Sequence, residues 1–157
     1  MMKKMGLKNF RMSFSWSRLL PGGTQDKGAN QLGVDFYNNV INELIANGIT
    51  PWVTLHHWDT PSVLHNNTST GSFLSKDIID KFADYADFCF KTYGDRVKNW
   101  ITLNEPWTYS INGYASGVFA PGRCSDEKCK QIGGGGNTST EPYIVSHNMM
   151  LSHAKAV

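Results

Sequence analysis

The sequence predicts an α/β fold on parallel strands, and more narrowly part of a (β/α)8 barrel. Three observations carry that prediction. Short β-rich segments recur at long, similar intervals. Segments with helical hydrophobic spacing separate them. The first β-rich segment has one large apolar face and one polar face carrying an arginine. Strands alternating with helices imply a parallel sheet joined by helical crossovers. A doubly wound open sheet fits the same order. The arginine-bearing face favours a barrel, whose lumen leads to a polar site. An open parallel sheet buries both faces under helices and suits such a face less well.

From Asn9 to Ser17 the sequence alternates strictly, with Phe10, Met12, Phe14 and Trp16 on one side and Arg11, Ser13, Ser15 and Ser17 on the other. Period two predicts a strand whose even face packs under helices. Pro21-Gly22-Gly23 breaks the chain. Tyr37, Val40, Ile41, Leu44 and Ile45 predict a helix over 33–47, capped at Gly48. Ile49 to Leu55 predicts a second strand, ending at His56-His57-Trp58-Asp59 before Pro61. Ser75 is a good N-cap for a long helix through Ile78, Phe82, Ala86, Cys89 and Tyr93, closed at Gly94. Lys98 to Asn104 predicts the third strand, which runs into Glu105-Pro106. Trp107 to Thr140 is rich in Gly, Pro and Asn and reads as a long loop, with the glycines from Gly133 to Gly136 as a flexible linker. Pro142 opens a last helix carrying Tyr143, Ile144, His147, Met150, Leu151 and Ala154.

Composition narrows the function classes. The chain has 157 residues, 40% hydrophobic and 18% charged, enough apolar content for a packed core. A net charge of +2 with scattered Lys and Arg argues against a nucleic-acid surface. No apolar run approaches the ~20 residues that span a bilayer, so no membrane partner is expected. Met1 to Gly6 lacks the apolar region of a signal peptide. Of the three cysteines, Cys89 sits in the helical pattern as a buried thiol. Cys124 and Cys129 lie in a polar loop, either as a local disulfide, which would imply an oxidising compartment, or as two separate thiols. Asn66-Asn67-Thr68, Asn67-Thr68-Ser69 and Asn137-Thr138-Ser139 each fit an N-glycan acceptor.

Barrel enzymes place catalytic groups at the C-terminal ends of strands. Two polar clusters fall there, His56 to Asp59 after the second strand and Asn104-Glu105 after the third. Glu105, beneath aromatic residues such as Trp107, would be desolvated and suited to general acid work. A strand-end Glu in a surface turn is the bland alternative. Asn104 could hydrogen-bond a substrate hydroxyl. His57 and Trp58 pair a polar group with a flat apolar face, as sugar recognition requires, although ordinary strand-end packing would look the same. Adjacent strand residues point to opposite faces, so His56 and His57 do not make a zinc site. Arg11 needs an acidic partner on the lumen side, and none is obvious in this sequence.

The segments FRMSFSWSRLLPGG, FYNNVINELIANGITPWVTLHHWDTP, YGDRVKNWITLNEPW and GYASGVFAPGRCS resemble the family-1 glycoside hydrolases of the plant β-glucosidase type. The likeness covers nearly the whole chain, and WITLNEPW is its most specific part. It implies a (β/α)8 barrel, of which residues 1–157 form a partial catalytic domain spanning roughly strands two to four. It implies that Glu105 is the acid/base, that Asn104 and His57 contact the sugar, that Trp58 lines the pocket, and that Arg11 sits beside the nucleophile. The Thr-Glu-Asn-Gly motif carrying that nucleophile is not in this sequence. The implied reaction is retaining hydrolysis of β-glucosides, with no metal or organic cofactor and a small glycoside as partner. The isolated chain is expected to be inactive. An inactive sugar-binding or remnant member of the same family is the alternative. The resemblance and the acceptor tripeptides lean toward the secretory pathway, vacuole or plastid. Aglycone, glycone and oligomeric state are not legible.

Overall fold

In the computed structural model, which describes residues 1–65, 71–131, 133 and 135–157, three parallel strands form one sheet in the order β1-β2-β3. These are β1 (Asn9–Ser13), β2 (Thr50–His56) and β3 (Asn99–Leu103). The helices are α1 (Trp16–Leu19), α2 (Gln31–Ala46), α3 (Asp77–Tyr93), α4 (Pro106–Tyr114), α5 (Glu127–Gln131) and α6 (Glu141–Ala156). The expected parallel α/β order is the observed one. The chain divides into two compact units, residues 1–61 with 84–104, and 62–83 with 105–157.

The first unit holds the sheet. Arg11 pairs with Trp52 and Ser13 with Thr54, while Thr54 pairs with Ile101 and His56 with Leu103. This register puts Arg11, Ser13, Thr54 and His56 on one face, because side chains alternate along a strand. Val53 and Leu55 lie on the opposite face and are fully buried. Strand β1 is shorter than its alternation suggested. Phe10 and Met12 are half-buried, and only Phe14 and Trp16, beyond the strand end, are fully enclosed. Phe14 packs on Tyr37 at 4.4 Å and Tyr93 at 4.8 Å between ring centroids. Trp16 stacks flat on Tyr85 at 4.8 Å. These aromatics bring hydroxyls and an indole N–H into the core, where an unbonded polar group is costly. The Tyr85 hydroxyl donates to Leu55 O at 3.0 Å, and Trp16 Nε1 donates to Gly23 O at 3.0 Å. The Tyr37 hydroxyl accepts from the Ser15 N–H at 2.7 Å.

Helix α2 shows what holds these elements. Asn30 at its N-cap makes no side-chain capping bond, which forgoes about 1 kcal/mol. Val34, Tyr37, Ile41 and Leu44 are buried on one face. At about 1.5–3 kcal/mol per buried side chain, that stripe outweighs the missing cap several-fold. Gly48, with φ 69°, reverses the chain after the helix as its sequence position predicted. Gly33 permits close approach to α1, since a Cβ there would lie 2.3 Å from Arg18 O.

The second unit is helical. Phe73, Phe82, Tyr109, Tyr114, Val145 and Met149 are buried. The Asn148 side chain donates to Phe73 O at 2.8 Å, tying α6 to the 3-10 turn Ser72–Leu74. Helices α4 and α5 occupy much of the stretch that reads as loop in sequence. Pro106 starts α4 at its first position, where a missing N–H costs nothing. Its buried side includes Ser110 and Gly113 as well as tyrosines, so hydrophobicity alone conceals its period. Within the glycine run, Gly136 is not simply linker. Gly136 N–H donates to Cys124 O at 2.9 Å, and a Cβ on Gly136 would meet Glu141 Oε2 at 2.5 Å.

Candidate active site

The polar face of the sheet ends in a cluster within the first unit. Arg11 reaches across two strands. Its Nε donates to Thr54 Oγ1 at 3.1 Å, and its Nη2 donates to Asn104 Oδ1. Among the described residues Arg11 forms no ion pair. Its guanidinium is oriented by neutral acceptors, which suits an incoming carboxylate.

Asn104 follows β3 and is 5% exposed. Its N–H donates to His56 O at 2.9 Å, extending the ladder by one residue. Its carbonyl accepts the Trp58 indole N–H at 2.9 Å. With Oδ1 taken by Arg11, its Nδ2 makes no hydrogen bond among the described residues. Asn104 is therefore held at three points and presents one donor.

His57 and Trp58 turn away from the end of β2. Trp58 has φ 71°, and its ring meets the His57 ring edge-on at 5.6 Å. His57 is exposed and Trp58 half-buried. His56 is enclosed, with Nε2 2.9 Å from Thr60 Oγ1. The two histidines thus have different environments, and among the described residues no group of three or more His, Cys, Asp and Glu is placed to hold a metal. Asp59 accepts the His57 backbone N–H at 3.3 Å. Burial pushes its carboxyl above the ordinary carboxylate value, opposed by hydrogen bonds from the His57 backbone and the Ser15 side chain. The sequence singles out neither Thr54 nor the support of Asp59 by Ser15. Thr54 is found only through the strand register.

Glu105 follows Asn104 directly and is the N-cap of α4 in the second unit, with φ 41° and ψ 63°. Its carbonyl accepts the Tyr109 N–H at 3.0 Å, and its side chain makes no capping bond. The carboxylate is exposed, and Trp107 is 71% exposed. The desolvation expected for Glu105 is therefore not supplied by this chain. The chain leaves β3 through a left-handed residue, and that turn puts Glu105 and the start of α4 in solvent. Left-handed backbone at a non-glycine residue costs about 1–3 kcal/mol. Trp58 and Glu105 both carry it, each just past a strand end, where functional strain concentrates.

Cys124 and Cys129 lie elsewhere in the second unit and are joined by a disulfide with S–S 2.00 Å. Cys89 is a free, buried thiol, its ionisation suppressed by burial. Asn66 and Asn67 with their acceptor tripeptides lie outside the described residues. No helix among the described residues is long and apolar enough to cross a membrane.

The profile of Glycosyl hydrolase family 1 matches residues 1–157, the whole of this sequence. The chain belongs to that family. As a family-1 chain it is 54% identical over 154 residues to Furcatin hydrolase of Viburnum furcatum, covering 98% of this chain and 27% of that protein. It superimposes on a Glu-to-Gln variant of the rice β-glucosidase Os3BGlu6 in covalent complex with glucose. That match has a TM-score of 0.91 and 47% identity, over 99% of this chain and 31% of the rice chain. A β-glucosidase from Thermotoga maritima in complex with deoxynojirimycin matches with a TM-score of 0.83 and 42% identity, again over 99% and 31%. The chain spans less than a third of the length of these proteins. The three-stranded sheet and its helices are accordingly part of a (β/α)8 barrel of the family-1 type.

Proposed function

We propose that the whole protein of which this sequence forms a part is a retaining β-glucosidase, with Glu105 as general acid/base. Residues 1–157 are a partial catalytic domain in this reading. Asn104 and His57 hydrogen-bond the sugar, and Trp58 lines its pocket. Arg11 orients and stabilises a nucleophilic carboxylate contributed from beyond these residues. The observation that carries the reading is Arg11 itself. It is held by Thr54 and Asn104, bears an uncompensated charge among the described residues, and is bonded to the residue that directly precedes Glu105.

In the first step the carboxylate attacks the anomeric carbon, and Glu105 donates its proton to the departing glycosidic oxygen. In the second, Glu105 takes a proton from water as that water displaces the carboxylate. Retaining enzymes of this kind hold the two carboxyls about 5 Å apart. The Asn104 Nδ2 makes no hydrogen bond among the described residues and would bond a ring hydroxyl. Hydrogen bonds from such groups strengthen in the oxocarbenium-like transition state and lower the barrier.

The test is the anomer released first. Proton NMR of β-glucoside hydrolysis by the whole protein is expected to show β-glucose before mutarotation. Initial α-glucose would overturn the retaining assignment.

A further inference from the structure

Asn137-Thr138-Ser139 is a motif that glucoside hydrolysis does not use. Its backbone is well tied. Asn137 O accepts the N–H groups of Thr140 and Glu141 at 3.2 and 2.9 Å, which sets the start of α6. Thr138 Oγ1 donates to Ala115 O at 3.0 Å and accepts the Ser125 N–H at 3.0 Å. The Asn137 side chain, in contrast, is exposed. Its Oδ1 accepts the Ser139 N–H at 2.9 Å, and its Nδ2 makes no hydrogen bond among the described residues. The amide is thus turned so that its nitrogen is open to solvent beside the exposed Ser139.

The second observation is the adjoining disulfide. Ser125, next to Cys124, exchanges two hydrogen bonds with Thr138, at 3.0 and 2.9 Å. Gly117 passes so close to the bridge that a Cβ there would lie 2.4 Å from Cys129 Sγ. The loop is built around an oxidised pair, and such pairs persist in secretory compartments. Those compartments also hold the donor for asparagine glycosylation.

We propose that Asn137 is an acceptor for an N-linked oligosaccharide. The donor class is an oligosaccharide on a lipid pyrophosphate, delivered by a membrane-bound transferase. The Asn137 Nδ2 attacks the anomeric carbon of the first sugar. An N–C bond forms, and the bond from that carbon to the pyrophosphate oxygen breaks. The electron pair leaves with the lipid pyrophosphate, and one amide proton passes to the transferase. Nothing is oxidised or reduced. The glycan projects from the loop before α6, while Glu141 behind it stays in its buried pair with Arg123.

The test is translation of Met1–Val157 behind a cleavable leader in the presence of endoplasmic-reticulum microsomes. Glycan transfer acts on the emerging chain, so the outcome does not depend on its folding alone. Enzymatic glycan release in heavy-oxygen water converts an occupied Asn to labelled Asp, which peptide mass spectrometry locates. Label at Asn137 is expected. It should persist in Asn66→Gln/Asn67→Gln and vanish in Ser139→Ala, which removes only the acceptor hydroxyl. An unlabelled Asn137 would overturn the proposal if Asn66 or Asn67 is labelled. So would an unlabelled Asn137 beside a labelled control tripeptide appended after Val157.

Discussion

At Asn104 the backbone and side chain have separate duties. The N–H and carbonyl fasten the residue to His56 and Trp58, and Oδ1 turns Arg11, so only Nδ2 is left to meet a ligand. Arg11 was legible because its strand alternates so cleanly. Thr54 was not, since the register between strands has no signature in a single sequence. Asp59 shows the same limit. Its burial follows from tertiary packing, and that burial holds the carboxyl above its usual value. The folded state therefore binds this proton more readily than the unfolded state. Stability from this source is complete below the ordinary carboxylate value and is lost as pH rises through the raised one. Asp59→Asn removes the ionisation and keeps an acceptor for the His57 N–H. The variant is expected to melt higher than the parent at about pH 7, with the gap closing by about pH 4. Thermal unfolding across that range measures it, and a gap independent of pH would contradict the assignment.

Elements were legible where apolar residues carried the period. Helices α2, α3 and α6 and strands β2 and β3 were expected from sequence close to where they lie, whereas β1 ends at Ser13, before the alternation does. Helix α4 was hidden because its buried side mixes tyrosine with Ser110 and Gly113, and α5 is too short to show a period. Behind them lies an ion pair that no spacing rule could reveal. Arg123 Nη2 and Nε meet the Glu141 carboxylate at 2.6 and 2.8 Å, with the two side chains 9% and 11% exposed. Glu141 stabilises the guanidinium's charge against the cost of burial. Glu141 also lies in the first turn of α6, where a negative charge favours the helix. Removing one partner of a buried pair leaves the other charge uncompensated, at about 3–5 kcal/mol. Arg123→Met should lower stability by that order in chemical denaturation. The double variant Arg123→Met/Glu141→Leu should recover much of it, as coupling between contacting residues requires. A double-variant loss equal to the sum of the Arg123→Met and Glu141→Leu losses would show that the pair is not coupled.

Across the whole chain, both the fold class and the family were legible, because the motifs sit at strand ends where barrel enzymes keep their chemistry. What no reading of these residues supplies is the opposing carboxylate. The sheet has β1 and β3 as its edges, each with a row of backbone groups open to pairing. Residues 1–157 expressed alone are therefore expected to aggregate and to give no turnover of an aryl β-glucoside. Turnover abolished by Glu105→Gln in that chain would refute this. The dual role proposed for Glu105 is tested by azide rescue in the whole protein. A dinitrophenyl leaving group needs no protonation, so Glu105→Gln should still form the glucosyl-enzyme. Water then lacks its base, and turnover should fall by about 10²–10⁴-fold. Azide needs no base. Added azide should therefore restore turnover and yield β-glucosyl azide. Unchanged turnover in Glu105→Gln, or a loss that azide does not relieve, would contradict it.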